Sequence, residues 1–332
     1  MKKLLTLASL LVLASLVLAA CGTPATTAPV ATDAPATAAP AATAAPAATE
    51  APTATQAPVK DMLSTIMDRG YILVSTDPNY EPQSFLNTAG KRPADTKCPS
   101  DALTKDEIQG FDVDVAIAIG DSLGVETCFA TPGWDLITAG SWADKWDVSV
   151  GSMTITTSRQ KVLDFSVPYY YTPAVVAVAA DSKFDTLDSL AGQALCAGVS
   201  TTYESWLNND MNALGLPDSS IYAKVPAGVT VVPLDTDQEC AQSIKSGRKD
   251  FVGYVTSETV VDANLAAGMP VKKLDGVVFS ENLAAAFDKA STLDSTSLRD
   301  KVDALFTKMH SDGTLSNLST KWFKMDITQA PK

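Results

Sequence analysis

Seven prolines, at positions 24, 29, 35, 40, 46, 52 and 58, recur about every six residues through residues 22–59. Proline removes a backbone donor and its ring clashes with the preceding turn, so no helix persists through that spacing. The rest of the stretch is almost wholly Ala and Thr, with Asp33 and Glu50 its only charges, and it lacks the large apolar side chains a core needs. A semi-extended tether is expected there, and its composition alone suggests glycosylation on Thr. Whatever folds in this 332-residue chain therefore folds over residues 60–330.

Ahead of the tether, Met1-Lys2-Lys3 is followed by an apolar run from Leu4 to Ala20. A positive start and a short apolar stretch predict a secretory signal peptide over residues 1–20. The run is marginal for spanning a bilayer core of ~30 Å as a permanent helix. It ends in Leu18-Ala19-Ala20-Cys21, which resembles the bacterial lipobox. That resemblance implies that Cys21 takes a diacylglyceryl group and becomes the new N-terminus. The expected location is extracytoplasmic, lipid-anchored to the cell membrane. After residue 59 the chain holds 36 acids against 23 bases, so the whole net charge of −13 sits on the globule. Such a balance argues against nucleic acid as a partner. No second long apolar run exists, so the globule is not expected to span the membrane.

Four cysteines remain, Cys98, Cys128, Cys196 and Cys240. An even number in an exported chain suggests two disulfides, for which three connectivities are open. Cys98–Cys128 with Cys196–Cys240 keeps each bridge inside one predicted lobe and is the favoured choice. A metal site is not expected, because there is no CxxC spacing and His310 is the sole histidine.

Strand-like and helix-like runs alternate along the globule. Strands are predicted over Tyr71–Ser75, Val125–Phe129 and Asp147–Val150. Helices are predicted before Gly70, over Phe111–Leu123 with Gly124 as C-cap, and over Trp134–Gly140. A second series follows Pro173, with strands Ala174–Ala179, Ala194–Val199, Thr230–Val232 and Phe251–Val255. Its helices lie near Leu187, over Thr202–Leu207 and over Gln238–Ser246. The chain ends in helices over Ser297–His310 and Leu315–Phe323. Alternating units of this kind imply an α/β fold with a mostly parallel sheet in each of two lobes. Pro173 and the stretch near Gly276 are the expected crossings, giving lobe one residues 60–172 and 277–330, and lobe two residues 173–276.

Four segments carry a family resemblance: Gly70 to Tyr80; Gly110-Phe-Asp-Val-Asp-Val-Ala116; Gly151-Ser-Met-Thr-Ile-Thr-Thr-Ser-Arg159 with Leu163 to Tyr170; and Asp312-Gly-Thr-Leu315 leading to Lys321-Trp-Phe323. In this order and spacing they resemble the extracellular solute-binding proteins of polar amino acid ABC transporters, family 3, in lipoprotein form. The resemblance implies a two-lobe fold of the periplasmic-binding-protein type II, with a hinge and a ligand cleft between lobes. It implies capture of a small solute, a polar or basic amino acid, and delivery to a membrane permease with its ATPase. No cofactor and no assembly beyond a monomer are expected.

The resemblance also assigns residues. Those matching Ser152, Thr154 and Arg159 hold the ligand backbone, and the Arg fork can pair a carboxylate bidentately where Lys cannot. Thr202, at a helix start, adds amides for the same carboxylate. Tyr80 and Trp134 match the aromatics that sandwich the side chain. Asp77 matches a carboxylate that binds side-chain nitrogens, although a turn-capping Asp before Pro78 is an equal reading. Two departures stand out. The usual acceptor of the α-ammonium, an Asp five residues past Asp250, is Val255 here; either Thr256 or Glu258 substitutes, or the ammonium is bound elsewhere, or the ligand lacks one. The insert of residues 87–109, bearing Cys98, is expected near the cleft mouth. The rival functions are a solute sensor for a membrane receptor and a dehydratase-like enzyme. The latter needs a positioned acid or base, and Asp77, Glu81 and Glu258 show no partner for that work.

Overall fold

The computed structural model describes residues 60–330. The apolar run 4–20, Cys21 and the Ala/Thr/Pro stretch 22–59 lie outside the described residues. Among the described residues one sheet of eleven strands runs through the molecule. Two ten-residue strands, Tyr170–Ala179 and Phe279–Asp288, sit at its middle. They pair antiparallel, Ala174 opposite Phe279 and Tyr170 opposite Leu283, and carry the chain from one lobe to the other and back.

On one side of this pair, Val148–Thr154 joins Phe279–Asp288, and Tyr71–Ser75 and Glu126–Ala130 follow in parallel register. On the other, Gly253–Ser257 joins Tyr170–Ala179, and Ala194–Gly198 and Thr230–Leu234 follow in parallel. The expectation of a mostly parallel sheet is corrected to a mixed one. Parallel pairing builds the heart of each lobe, but every ladder to a crossing strand is antiparallel.

The two cores follow from strand alternation. In lobe two, Val176, Leu195 and Val255 face Trp206 and Phe279. Their neighbours Val175, Cys196 and Tyr254 face Cys240, Phe251 and Val261. Each sheet face is therefore covered by helices. Lobe one packs Ile72, Val74, Phe111, Phe129 and Val150 against Phe306, Leu315 and Phe323 from the chain's last helices, Thr296–Ser311 and Thr314–Phe323. The helix Phe111–Leu123 ends at Gly124, whose φ of 70° is the left-handed cap that glycine adopts without strain.

Cys98 is joined to Cys128 and Cys196 to Cys240. The insert does not approach the cleft. Its short strand Leu103–Thr104 pairs with Cys128 and Phe129 at the sheet edge, and the Lys97 amide donates to Glu126 at that strand's start, 2.7 Å away. Arg92 holds the loop by donating to the carbonyls of Ala102 and Cys98, both at 2.6 Å. The insert thus covers an exposed strand edge. His310 lies 2.8 Å from the Pro168 carbonyl and takes a structural part. Among the described residues no helix is long and apolar enough to cross a membrane.

Candidate solute-binding site

Strand ends from both lobes converge on one cavity. Lobe one supplies Asp77, Tyr80, Trp134, Gly151, Ser152, Thr154 and Arg159; lobe two supplies Gly198, Thr201–Tyr203 and Asp235–Asp237. Glu281 enters from the second crossing strand.

Arg159 begins a short 3-10 turn directly after the strand Val148–Thr154, its amide held by the Thr156 hydroxyl at 3.1 Å. The guanidinium donates to the carbonyls of Thr154 and, across the cleft, Ser200, both at 3.1 Å. It lies 5.4 Å from the centre of the Trp134 ring. Burial pulls its pKa down to about 10, opposed by the charge of Glu281, so it stays a cation at neutral pH. Among the described residues it makes no ion pair, which leaves its charge for a bound anion. The Trp134 indole N–H, buried in the same wall, also has no partner.

Glu281 is 1% exposed. Its Oε1 accepts from the Thr154 hydroxyl of lobe one and the Thr202 hydroxyl of lobe two, both at 2.6 Å. Its Oε2 accepts from Tyr203 at 2.9 Å, and Tyr203 is 3.1 Å from the Tyr80 hydroxyl. Burial raises this carboxyl, and the Arg159 charge works against the rise. Asp237, on the first turn of the helix Asp237–Lys245, accepts from the Gly198 amide and the Thr256 hydroxyl, both at 2.8 Å. Burial lifts it to about 7, with the charges of Asp77 and Glu281 adding to the rise. A Cβ on Gly198 would stand 2.8 Å from this carboxylate, so only glycine lets it reach the strand end. The Cys196–Cys240 bridge ties this strand to this helix.

Of the predicted residues, Asp77, Tyr80, Trp134, Ser152, Thr154, Arg159 and Thr202 come together in the cavity wall. Thr256 does not: it is fully buried behind the wall and holds Asp237. Glu258 is drawn outward by Lys273 at 2.6 Å, and Val255 packs in the lobe-two core. Asp77 caps its turn, accepting from the Asn79 amide at 2.8 Å, and also lines the cavity, with burial raising its pKa. Ser152 lines the cavity from within a buried network. Its hydroxyl donates to Asp112 at 2.6 Å and accepts from Tyr170 at 2.7 Å, so it has no proton left for a solute. Its φ of 55° is a left-handed strain held by this network, in which its amide also donates to Tyr169 at 3.0 Å.

Glu281 and Asp237 are the residues that sequence reasoning missed. Glu281 is a lone acid in the run from Val277 to Phe287, and an unexplained charge there was the available signal. Asp237 sits one residue after Thr236, which caps the helix through the Glu239 amide, so it reads as an ordinary first-turn acid.

Burial lifts Asp112 to about 7, against the hydrogen bonds from Ser152 and Tyr169. The folded chain then holds this proton more tightly than the unfolded chain, whose Asp titrates near ~3.9. Stability should therefore fall as pH rises from about 4 through about 7 and level off above, since the folded state binds the extra proton in that window. Urea unfolding of wild type and Asp112→Asn between pH 5 and 8 checks this, and the variant should show a shallower slope. Equal slopes would mean that Asp112 titrates as in the unfolded chain.

Known proteins share this architecture. The chain is 29% identical over 276 residues to the L-cystine-binding protein TcyJ of Escherichia coli strain K12, covering 81% of this chain and 88% of that one. The structure of holo ArgBP from T. maritima superposes with a TM-score of 0.59 at 26% identity, over 78% of this chain and 99% of that chain. The ancestral amino acid-binding protein AncCDT-1, described as a precursor of cyclohexadienyl dehydratase, gives a TM-score of 0.62 at 27% identity, over 79% and 99%. A family model covers residues 72–325, and the chain belongs to that family, the bacterial extracellular solute-binding proteins, family 3.

Proposed function

We propose that the protein captures an α-amino acid with a nitrogen-bearing side chain outside the cytoplasm and hands it to an ABC permease driven by an ATPase. The observation that carries this is the charge of one cavity: a single guanidinium, Arg159, facing the four acids Asp77, Asp235, Asp237 and Glu281. Arg159 suits the ligand carboxylate, and the excess of acids suits two positive nitrogens. Tyr80 and Trp134 supply ring faces for an aliphatic or cationic stem. The relatives named for cystine and arginine both support an amino acid. Cystine carries two carboxylates, and the one guanidinium in the cavity favours the arginine-like class.

Two lobes, residues 60–172 with 277–330 and residues 173–276, act as a clamp whose hinge is the crossing pair. The signal-like residues 1–20, the lipobox-like Cys21 and the tether-like composition of residues 22–59 support a protein leashed to the membrane surface. Nothing in this cycle requires a catalytic step. One observation favours a dehydratase-like second reading, the rise of Asp237 to about 7 beside a cleft. Both Asp237 oxygens are held, by the Gly198 amide and the Thr256 hydroxyl, which suits charge recognition better than proton transfer. Recovery of each bound solute unchanged, followed by NMR, supports binding alone; a new product would establish catalysis.

A thermal-shift panel of amino acids, polyamines and small carboxylates on the full chain tests the reading. A ligand at 100 times its Kd should stabilise by ~2.7 kcal/mol, a rise in Tm of roughly 2–4 °C for a protein of this size. The expected responders are arginine, lysine, histidine or glutamine. A response confined to carboxylates without an amine would overturn the amino acid assignment.

A further inference from the structure

We infer that Glu281 is the acceptor of the bound amino acid's α-ammonium, a role that no group on the strand Gly253–Ser257 fills; the inference rests on the amino acid reading above. Val255 is enclosed by Trp206, Leu195 and Phe279. The Thr256 hydroxyl is spent on Asp237, and Ser257 is bonded to Thr172 and Thr259 at 2.9 and 2.6 Å. Glu258, next along the chain, is paired with Lys273. This strand therefore brings no charge to the cavity.

Glu281 does. It stands in the cavity wall beside Arg159, whose charge it feels, yet among the described residues no lysine, arginine or histidine nitrogen lies within 4.0 Å of its carboxylate. Three hydroxyls reach it, two on Oε1 and one on Oε2. A carboxylate offers about four acceptor directions, so Oε2 retains one. A buried carboxylate with hydroxyl partners only is incompletely compensated, and a cation supplies what is missing. In an α-amino acid the ammonium and carboxylate share one carbon, which matches a carboxylate and a guanidinium set side by side in one wall. The two threonine donors come from opposite lobes, so the ammonium is met where the lobes close. Glu281 itself belongs to a hinge strand, and the contact that recognises the ligand thereby touches the element about which the lobes move.

Isothermal titration of the full chain tests this with L-arginine and L-glutamine and with their des-amino counterparts, 5-guanidinopentanoate and glutaramate. Wild type should prefer each amino acid over its counterpart by at least about tenfold. Glu281→Gln should lose that preference, its affinity for the amino acid falling by at least about tenfold more than its affinity for the counterpart, and a cooperative thermal transition shows that the variant is folded. Glu281→Asp keeps the charge and should keep the preference. Undiminished amino acid binding by Glu281→Gln overturns the inference, and so does an equal loss for both ligands of a pair, which marks a structural role. Should Glu281→Gln fail to fold, Glu281→Thr, which also removes the charge and keeps a hydroxyl for the network, decides by the same ratio. A wild type that takes the counterparts and no amino acid removes the amino acid reading itself.

Discussion

Replacing Arg159 by Ala should weaken amino acid capture by about 1.5–3 kcal/mol, roughly ten- to a hundredfold in Kd. The guanidinium is buried, already gives two of its N–H groups to carbonyls, and has no carboxylate partner among the described residues. A ligand carboxylate would complete it. Arg159→Lys should recover little, because an ammonium lacks the planar fork. The same side chain also bonds Ser200 across the cleft, so the variant loses part of its closure contact. A decarboxylated ligand separates the two effects: agmatine compared with L-arginine reports the carboxylate alone. Equal losses for both would assign Arg159 to closure, and unchanged binding of L-arginine would remove it from the site.

Removing the Cys196–Cys240 bridge should lower stability by about 2–4 kcal/mol, because it closes a long loop in the unfolded chain. Its ends are 44 residues apart in sequence. The double variant Cys196→Ala/Cys240→Ala should melt well below wild type. A second effect follows from position. The bridge fixes the helix carrying Asp237 to the strand carrying Gly198, and Asp237 reaches the Gly198 amide at 2.8 Å. The variant, studied below its Tm, should therefore bind arginine more weakly relative to small neutral amino acids. Unaltered selectivity would confine the bridge to stability.

Much of the site was legible because its residues cluster in short, ordered segments. Thr154 and Arg159 lie five residues apart at one strand end, and Asp77 and Tyr80 follow another, so local spacing carries them into one wall. The second crossing strand was not legible. Phe279–Asp288 includes Leu-Ala-Ala-Ala, whose strand propensity is low, and from Leu283 onward it is buried on both faces, which erases the alternation there. Missing the strand meant missing Glu281 with it. Asp237 was hidden differently, since its helix-start position already accounts for an acid there. The network around Ser152 was not legible because Asp112 and Tyr170 reach its hydroxyl only through tertiary packing, 40 and 18 residues away.

The crossing pair has a consequence for the order in which the protein can be assembled. Every buried apolar residue of the two lobe-two clusters lies between Ala174 and Phe279, one unbroken stretch. Lobe one instead joins residues up to Tyr170 with Leu283, Phe306 and Phe323. During synthesis the middle of the chain can complete its core first. The earlier half of lobe one must wait, with the edge of Val148–Thr154 unpaired, until Phe279–Asp288 emerges to close it. Loss of the C-terminal helices would strip Leu298, Val302, Phe306, Leu315 and Phe323 from the lobe-one core and leave the lobe-two clusters untouched. The first-made half of lobe one is thus the part of the molecule that stays open longest.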